Sequence, residues 1–168
     1  MNSKELYVYT YPISKLYTDN MGCFPVRSRS VNHYIMLAYH VDTNIILVEP
    51  FQSRQDRHRI AAYNCIMTCL KKCGHAVNLQ ILDNKASQSY TQTIQDTWGC
   101  TFQLVTPHVH RRNIVERAIR SFKAHFLAIL SVISDSFPNY LWDHLLPQTE
   151  FTLNLLQQST LSSAMSAW

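Results

Sequence analysis

Glycine is scarce, with three residues in 168, which excludes collagen-like and linker-like chains. Charge is sparse too, at 15% of residues against 46% hydrophobic. Such a chain can bury a core and is not a solvated, disordered polymer. No apolar run approaches the roughly 18 residues that argue for a membrane span. The opening MNSKELYVYTYPISK lacks the basic-then-apolar order of a secretory leader, so neither membrane nor export is expected. Five cysteines make an odd count in a chain without an export signal. They are expected as free thiols in a reducing, intracellular setting, not as a disulfide framework. A length of 168 residues suits one domain with a real core.

Lys and Arg are missing altogether from Asn139 onward. Positive charge gathers instead in HVHRRNIVERAIRSFKAH, residues 108–125. There Arg111, Arg112, Arg117, Arg120 and Lys123 stand against one acid, Glu116. This segment carries the whole net charge of +4, and the rest of the chain is neutral. A basic segment on a neutral body suits a phosphate-bearing partner, or else it is a solvated helix face.

The hydrophobic pattern changes period along the chain. LYVYTYPISKLYTD is strand-like, and Asn20, Gly22 and Pro25 interrupt it. HYIMLAYH and NIILVEPF, separated by Val41-Asp42-Thr43, form a predicted hairpin. From Arg54 to Lys72 the spacing of Ile60, Tyr63, Met67 and Leu70 is helical, with Gly74 at the C′ position. AVNLQIL is a strand leading into Asp83-Asn84. A helix follows over 88–98, then the strand TFQLV, stopped by Thr106-Pro107. Val115, Ile119, Phe122, Phe126, Ile129 and Ile133 make the apolar stripe of a long helix over 110–133, closed by Pro138. Further helices follow, with Pro147 as a break or a new start. The order predicts an α/β domain with a mixed sheet covered by helices.

Three carboxylates stand out by position. Asp19 lies at the end of the first strand, Asp83 ends the strand after the first helix, and Glu116 lies in the first turns of the long helix. Ligands collect at strand ends and helix starts on one rim of an α/β sheet. Turn chemistry or helix capping accounts equally for either aspartate, and Glu116 can pair with Arg120 at i,i+4.

These residues, in this order, resemble the Asp, Asp, Glu triad of retroviral and retrotransposon integrases, and their surroundings resemble the copia-like branch. TDNMGCFPV is similar to the family's first-Asp segment, and HYIMLAYHVDTNIILVEPF to its following hairpin. LVTPHVHRRNIVERAIRSFKAH is similar to its loop and catalytic helix, with Pro107, Asn113, Glu116 and Arg117 at matching places. LWDHLLPQTEFTLNLL resembles the later helices. The chain departs from the pattern at Lys85-Ala86, where the family has two glycines, and at Ile114, where it has one. Asp83 and Glu116 are also slightly closer than is usual for the family.

The resemblance implies an RNase H-like fold, a five-stranded mixed sheet flanked by helices. It implies an N-terminal extension over 1–14, a catalytic core over 15–135 and helices packed on it over 136–168, the whole cut from a longer polyprotein. The implied activity is DNA integration: a water cuts the donor end, and the new 3′ hydroxyl attacks a target phosphodiester. Two Mg²⁺ or Mn²⁺ ions would serve this phosphoryl transfer. Asp19 would bridge both ions, while Asp83 and Glu116 would bind one each. Arg111, Arg112, Asn113, Arg120 and Lys123 would face DNA, both the element's ends and the target. A homo-oligomer is implied, in the nucleus or a virus-like particle. The alternative is a decayed or co-opted core that binds nucleic acid or protein without chemistry. An RNase H-type nuclease fits less well, because that group places more Asp residues and lacks the Arg111–Lys123 pattern. Cys65, Cys69 and Cys73 recur along the first helix. Packing against the sheet is the expectation for these small thiols, with zinc the alternative. His108 and His110 are open between phosphate contact and loop polarity.

Overall fold

The computed structural model describes residues 13–83, 86–105, 112–134, 136–162 and 164–167. Its first three strands are β1 (Lys15–Met21), β2 (Tyr34–His40) and β3 (Ile45–Phe51). They alternate direction, β2 pairing antiparallel with both neighbours. β4 (Leu79–Asp83) then returns parallel to β1, and β5 (Thr101–Val105) parallel to β4. The sheet order is β3-β2-β1-β4-β5. Two reversals leave β3 pointing the same way as β1. The carboxyl ends of β1, β3, β4 and β5 therefore share one rim.

Helices cover both faces, which explains the unbroken apolar runs of β2 and β3. Met36 and Ala38 face a core built with α1 (Asp56–Lys72) and α2 (Gln88–Asp96). Ile35 and Leu37 face the opposite core, built with α3 (Arg112–Val132) and α4 (Leu146–Leu156). α1 buries Tyr63, Ile66, Met67 and Leu70 along one stripe. Gly74, at φ +79°, and Gly99, at φ +62°, follow α1 and α2 in the left-handed conformation that glycine adopts without steric cost.

Two expectations are corrected. Cys65 and Cys73 are exposed and Cys69 is half-buried; only Cys100 among the five is buried. At 3.6 residues per turn the cysteine stripe lies about 90° around α1 from the buried one. It therefore runs along the flank of the helix, where Cys69 packs partly against the core and Cys65 meets Glu49 of β3. Pro138 does not close α3, which ends at Val132. Ser136 N–H bonds to Ser134 Oγ there, a local alternative to the helical ladder. Pro138 instead caps a short 3₁₀ helix, Asn139–Leu145.

That 3₁₀ helix is pinned to the loop after β1. Trp142 is buried, stacks on Phe24 at 4.3 Å and donates its indole N–H to the Val26 carbonyl at 2.8 Å. Asp143 accepts from Asn32 Nδ2 at 3.0 Å. Burial alone would push the Asp143 carboxyl up, but hydrogen bonds from Ser28, Asn32 and Ser30 outweigh it and hold it below the usual range. α4 then shields the edge of β3. Asn154 accepts from Ile46 N–H at 2.9 Å and donates to the Ile46 carbonyl at 2.7 Å. Glu150 accepts from Val48 N–H at 2.7 Å. Two side chains one helical turn apart thus satisfy outward-facing groups of an edge strand that would otherwise be open to another chain.

Candidate active site

β1 and β4 run side by side with Lys15 opposite Leu79 and Tyr17 opposite Ile81. Continued by two residues, that parallel register sets Asp19 opposite Asp83. Side chains alternate along a strand, so Asp19 shares the face of Tyr17, and Asp83 that of Ile81. Tyr17 and Ile81 pack with Val115 of α3 in a small buried cluster. The two aspartates therefore lie on the α3 side of adjacent strands, at the shared rim.

Both open onto one cavity of about 320 Å³. The cavity itself opens on the α1–α2 side of that rim, where Thr18, Asn20, Met36, Leu82 and Tyr90 line it and the two aspartates border it from the strand ends. Asp19 Oδ1 also accepts the N–H of Asn20 at 2.7 Å. Burial pushes the Tyr90 hydroxyl up to about 12, against the pull of a Thr18 hydrogen bond and of the Arg59 charge, so the phenol itself stays neutral. Arg54 and Arg59 complete the lining from the end of β3 and the start of α1. Asp19 and Asp83 are hard oxygen donors of the kind Mg²⁺ and Mn²⁺ prefer, and on that chemistry the pair fits a divalent cation.

Glu116 lies on α3, the helix that covers the same face of the sheet as the Asp19 and Asp83 side chains. It follows Val115, which packs over the two strands, and its own side chain is exposed. It is not among the residues that line the cavity. Among the described residues no three His, Cys, Asp or Glu side chains gather closely enough to hold a metal ion. Arg120 and Lys123 are exposed along α3; Lys123 also borders a shallow pocket with Gly22, Cys23 and Phe126. Arg111 lies outside the described residues, as do Asn84, Lys85, Pro107, His108 and His110, and of Arg112 and Asn113 only the helical backbone is described. Arg117 lies against Tyr39, whose hydroxyl burial pushes up and the Arg117 charge draws down.

No protein-family model matches the sequence, and no curated protein does. Solved structures do. The HTLV-2 integrase catalytic core, in complex with magnesium in a trimeric form, superposes with a TM-score of 0.69 at 16% identity, over 94% of this chain and 95% of that one. The fold is that of retroviral integrase catalytic cores. A chain from the simian T-cell lymphotropic virus intasome, in complex with the PP2A regulatory subunit B56 gamma, superposes with a TM-score of 0.72, also at 16% identity. All of the present chain is covered there but only 57% of the intasome chain, so this chain spans little more than half of that protein. The mixed five-stranded sheet with helices on both faces is thus the RNase H-like architecture expected from the sequence.

Arg54 and Arg59 were not expected at the site. RQDRHR, residues 54–59, carries three arginines, but the acids elsewhere in the chain offset them in the overall charge. The signal was topological. A hairpin after β1 turns β3 back toward the rim of Asp19, so the segment leaving β3 arrives beside the carboxylates.

Proposed function

We propose that this chain carries out metal-dependent phosphoryl transfer on DNA: 3′-end processing and strand transfer of retroelement DNA into target DNA. The observation that carries this reading is the pair Asp19 and Asp83, set by adjacent parallel strands on one cavity at the rim of an integrase-type fold. In this reading Asp19, Asp83 and Glu116 hold the divalent cations. Bound Mg²⁺ or Mn²⁺ would supply the Lewis acidity that activates an attacking oxygen and stabilises a leaving one. The protein's own part is to aim three carboxylates at one place and to hold DNA against them. The exposed Arg120 and Lys123, with Arg112 and Asn113 at the start of α3 and Arg111 preceding them in sequence, would meet phosphates as DNA approaches. Residues 15–135 would be the catalytic core and residues 136–168 its packed C-terminal helices. The working form would be a homo-oligomer in the nucleus or a virus-like particle, and the copia-like polyprotein origin belongs to the same reading.

One observation favours a second reading, a core that binds nucleic acid or protein without chemistry. Among the described residues no three His, Cys, Asp or Glu side chains gather closely enough to hold a metal ion. A strand-transfer and disintegration assay on model DNA separates the two. The enzyme reading expects products with Mn²⁺, none with EDTA, and none from Asp19→Asn, Asp83→Asn or Glu116→Gln. DNA binding by the parent without products under any metal condition would support the second reading.

A further inference from the structure

The cavity of Asp19 and Asp83 has a cationic wall for which the proposed chemistry gives no role. Arg54 leaves β3 at the shared rim and is exposed; Arg59 stands in the first turns of α1 and is largely buried. Both line the cavity. Aromatic faces hold both guanidinium groups, Arg54 at 5.4 Å from the ring centre of Tyr34 and Arg59 at 5.1 Å from that of Tyr90. Among the described residues neither group is held in a tight ion pair. Arg59 reaches Asp56 only at 4.0 Å, and Asp56 already accepts from Ser89 Oγ at 2.6 Å. The Arg59 Nε–H donor is buried with no hydrogen-bond partner among the described residues. Buried donors are seldom left in that state without a reason.

We propose that Arg54 and Arg59 form a phosphate-binding subsite that grips the backbone of a nucleic-acid strand in the cavity of Asp19 and Asp83. The inference rests on the DNA-processing reading and extends it to a second contact surface, on the opposite flank of the acids from α3. Two carboxylates alone repel a polyanion. Guanidinium groups lining the same cavity supply the opposite charge where the strand must pass. Each offers a planar fork of N–H donors that matches phosphate oxygens two at a time. Stacking on a ring fixes each fork beforehand and so reduces the ordering cost of binding. The cavity has the volume of a small-ligand site, so it takes a nucleotide or two of one strand and not the breadth of a duplex. The rival is a purely structural pair, in which Arg59 only ties α1 to Tyr90.

The test is binding of a labelled duplex with a single-stranded 3′ end, titrated across salt in EDTA so that no cleavage intervenes. Arg54→Gln and Arg59→Gln are each expected to lower the log–log salt slope by about one unit. Arg59→Lys is expected to keep the slope and lose part of the affinity. A parent-like slope in both Gln variants, with melting temperature intact, overturns the subsite. Arg54→Gln decides the matter alone should Arg59→Gln not fold, because Arg54 is exposed. Inorganic phosphate is the second probe. If it raises the melting temperature of the parent but not of the variants while the DNA slope stays unchanged, the pocket takes free phosphate and the strand assignment is wrong. If the parent makes strand-transfer products and only the slope prediction fails, the subsite alone falls. If the parent neither binds DNA nor processes it, the functional reading falls and takes the subsite with it.

Discussion

Glu150→Gln should stabilise the protein at alkaline pH and do nothing at acid pH. The Glu150 carboxylate is held against the edge of β3 by the Val48 N–H. Burial pushes the group up from 4.5 to about 7, the Val48 N–H opposes that rise, and the nearby Glu49 charge adds to it. The folded chain therefore binds more protons than the unfolded chain between those two values. Stability conferred by the protonated form is lost as pH rises through that window. A difference of about 2.5 units corresponds to ~3 kcal/mol as an upper limit, and partial access of water brings the expected effect to roughly 1–3 kcal/mol. Glutamine keeps an oxygen for the Val48 N–H and removes the charge. At pH 8 the variant should be the more stable by that amount, a rise in melting temperature of about 2–4 °C per kcal/mol for a chain of this size. At pH 4.5 the two proteins should coincide. Urea unfolding from pH 4.5 to 8.5 measures the difference directly. Reading the difference cancels the opposing contribution of His40, whose ring burial holds below its ordinary value, against the Asp42 charge and helped by the His75 charge. A variant less stable at pH 8, or an equal difference at both ends, would refute the reasoning.

Three other perturbations probe separate parts of the account. Asp143→Ala leaves Asn32 Nδ2 without its carboxylate and should cost about 1–3 kcal/mol at neutral pH. Because the Asp143 carboxyl is depressed from 3.8, that contribution is present above this value and should disappear as acid protonates the group. Adding Mn²⁺ should raise the melting temperature by relieving repulsion between Asp19 and Asp83. Asp83→Asn should lose most of that rise while melting slightly higher without metal, and an unchanged metal response would remove the aspartates as ligands. Arg120→Ala with Lys123→Ala should lower the salt slope of DNA binding by up to about two units. A parent-like slope would return that face of α3 to plain solvation.

The fold was readable because local patterns and tertiary demands agree. The two apolar runs at 34–40 and 45–51 could be nothing but buried strands, and Gly74 and Gly99 marked helix ends that the backbone confirms by positive φ. α3 was readable from its stripe, since Val115, Phe122 and Phe126 are all buried. Its end was readable as well, at Val132 against the expected 133, with Pro138 lying beyond it at the start of the 3₁₀ helix. The cysteine stripe was legible only in part: regular spacing fixes a line along a helix but not that the line lies on its flank, leaving Cys65 and Cys73 exposed while Cys69 packs against the core. At the site, strand ends were enough to single out Asp19 and Asp83. Arg54 and Arg59 escaped because their nearness to the acids arises from the direction of β3, which depends on sheet pairing and not on any local motif.

The most direct test of the central claim is a crystal soaked in Mn²⁺ and measured for anomalous scattering. A peak is expected between the Asp19 and Asp83 carboxylates, with Glu116 turned in as a further ligand. Manganese absent from that cavity, or bound there with Glu116 held elsewhere on α3, would contradict the three-carboxylate site.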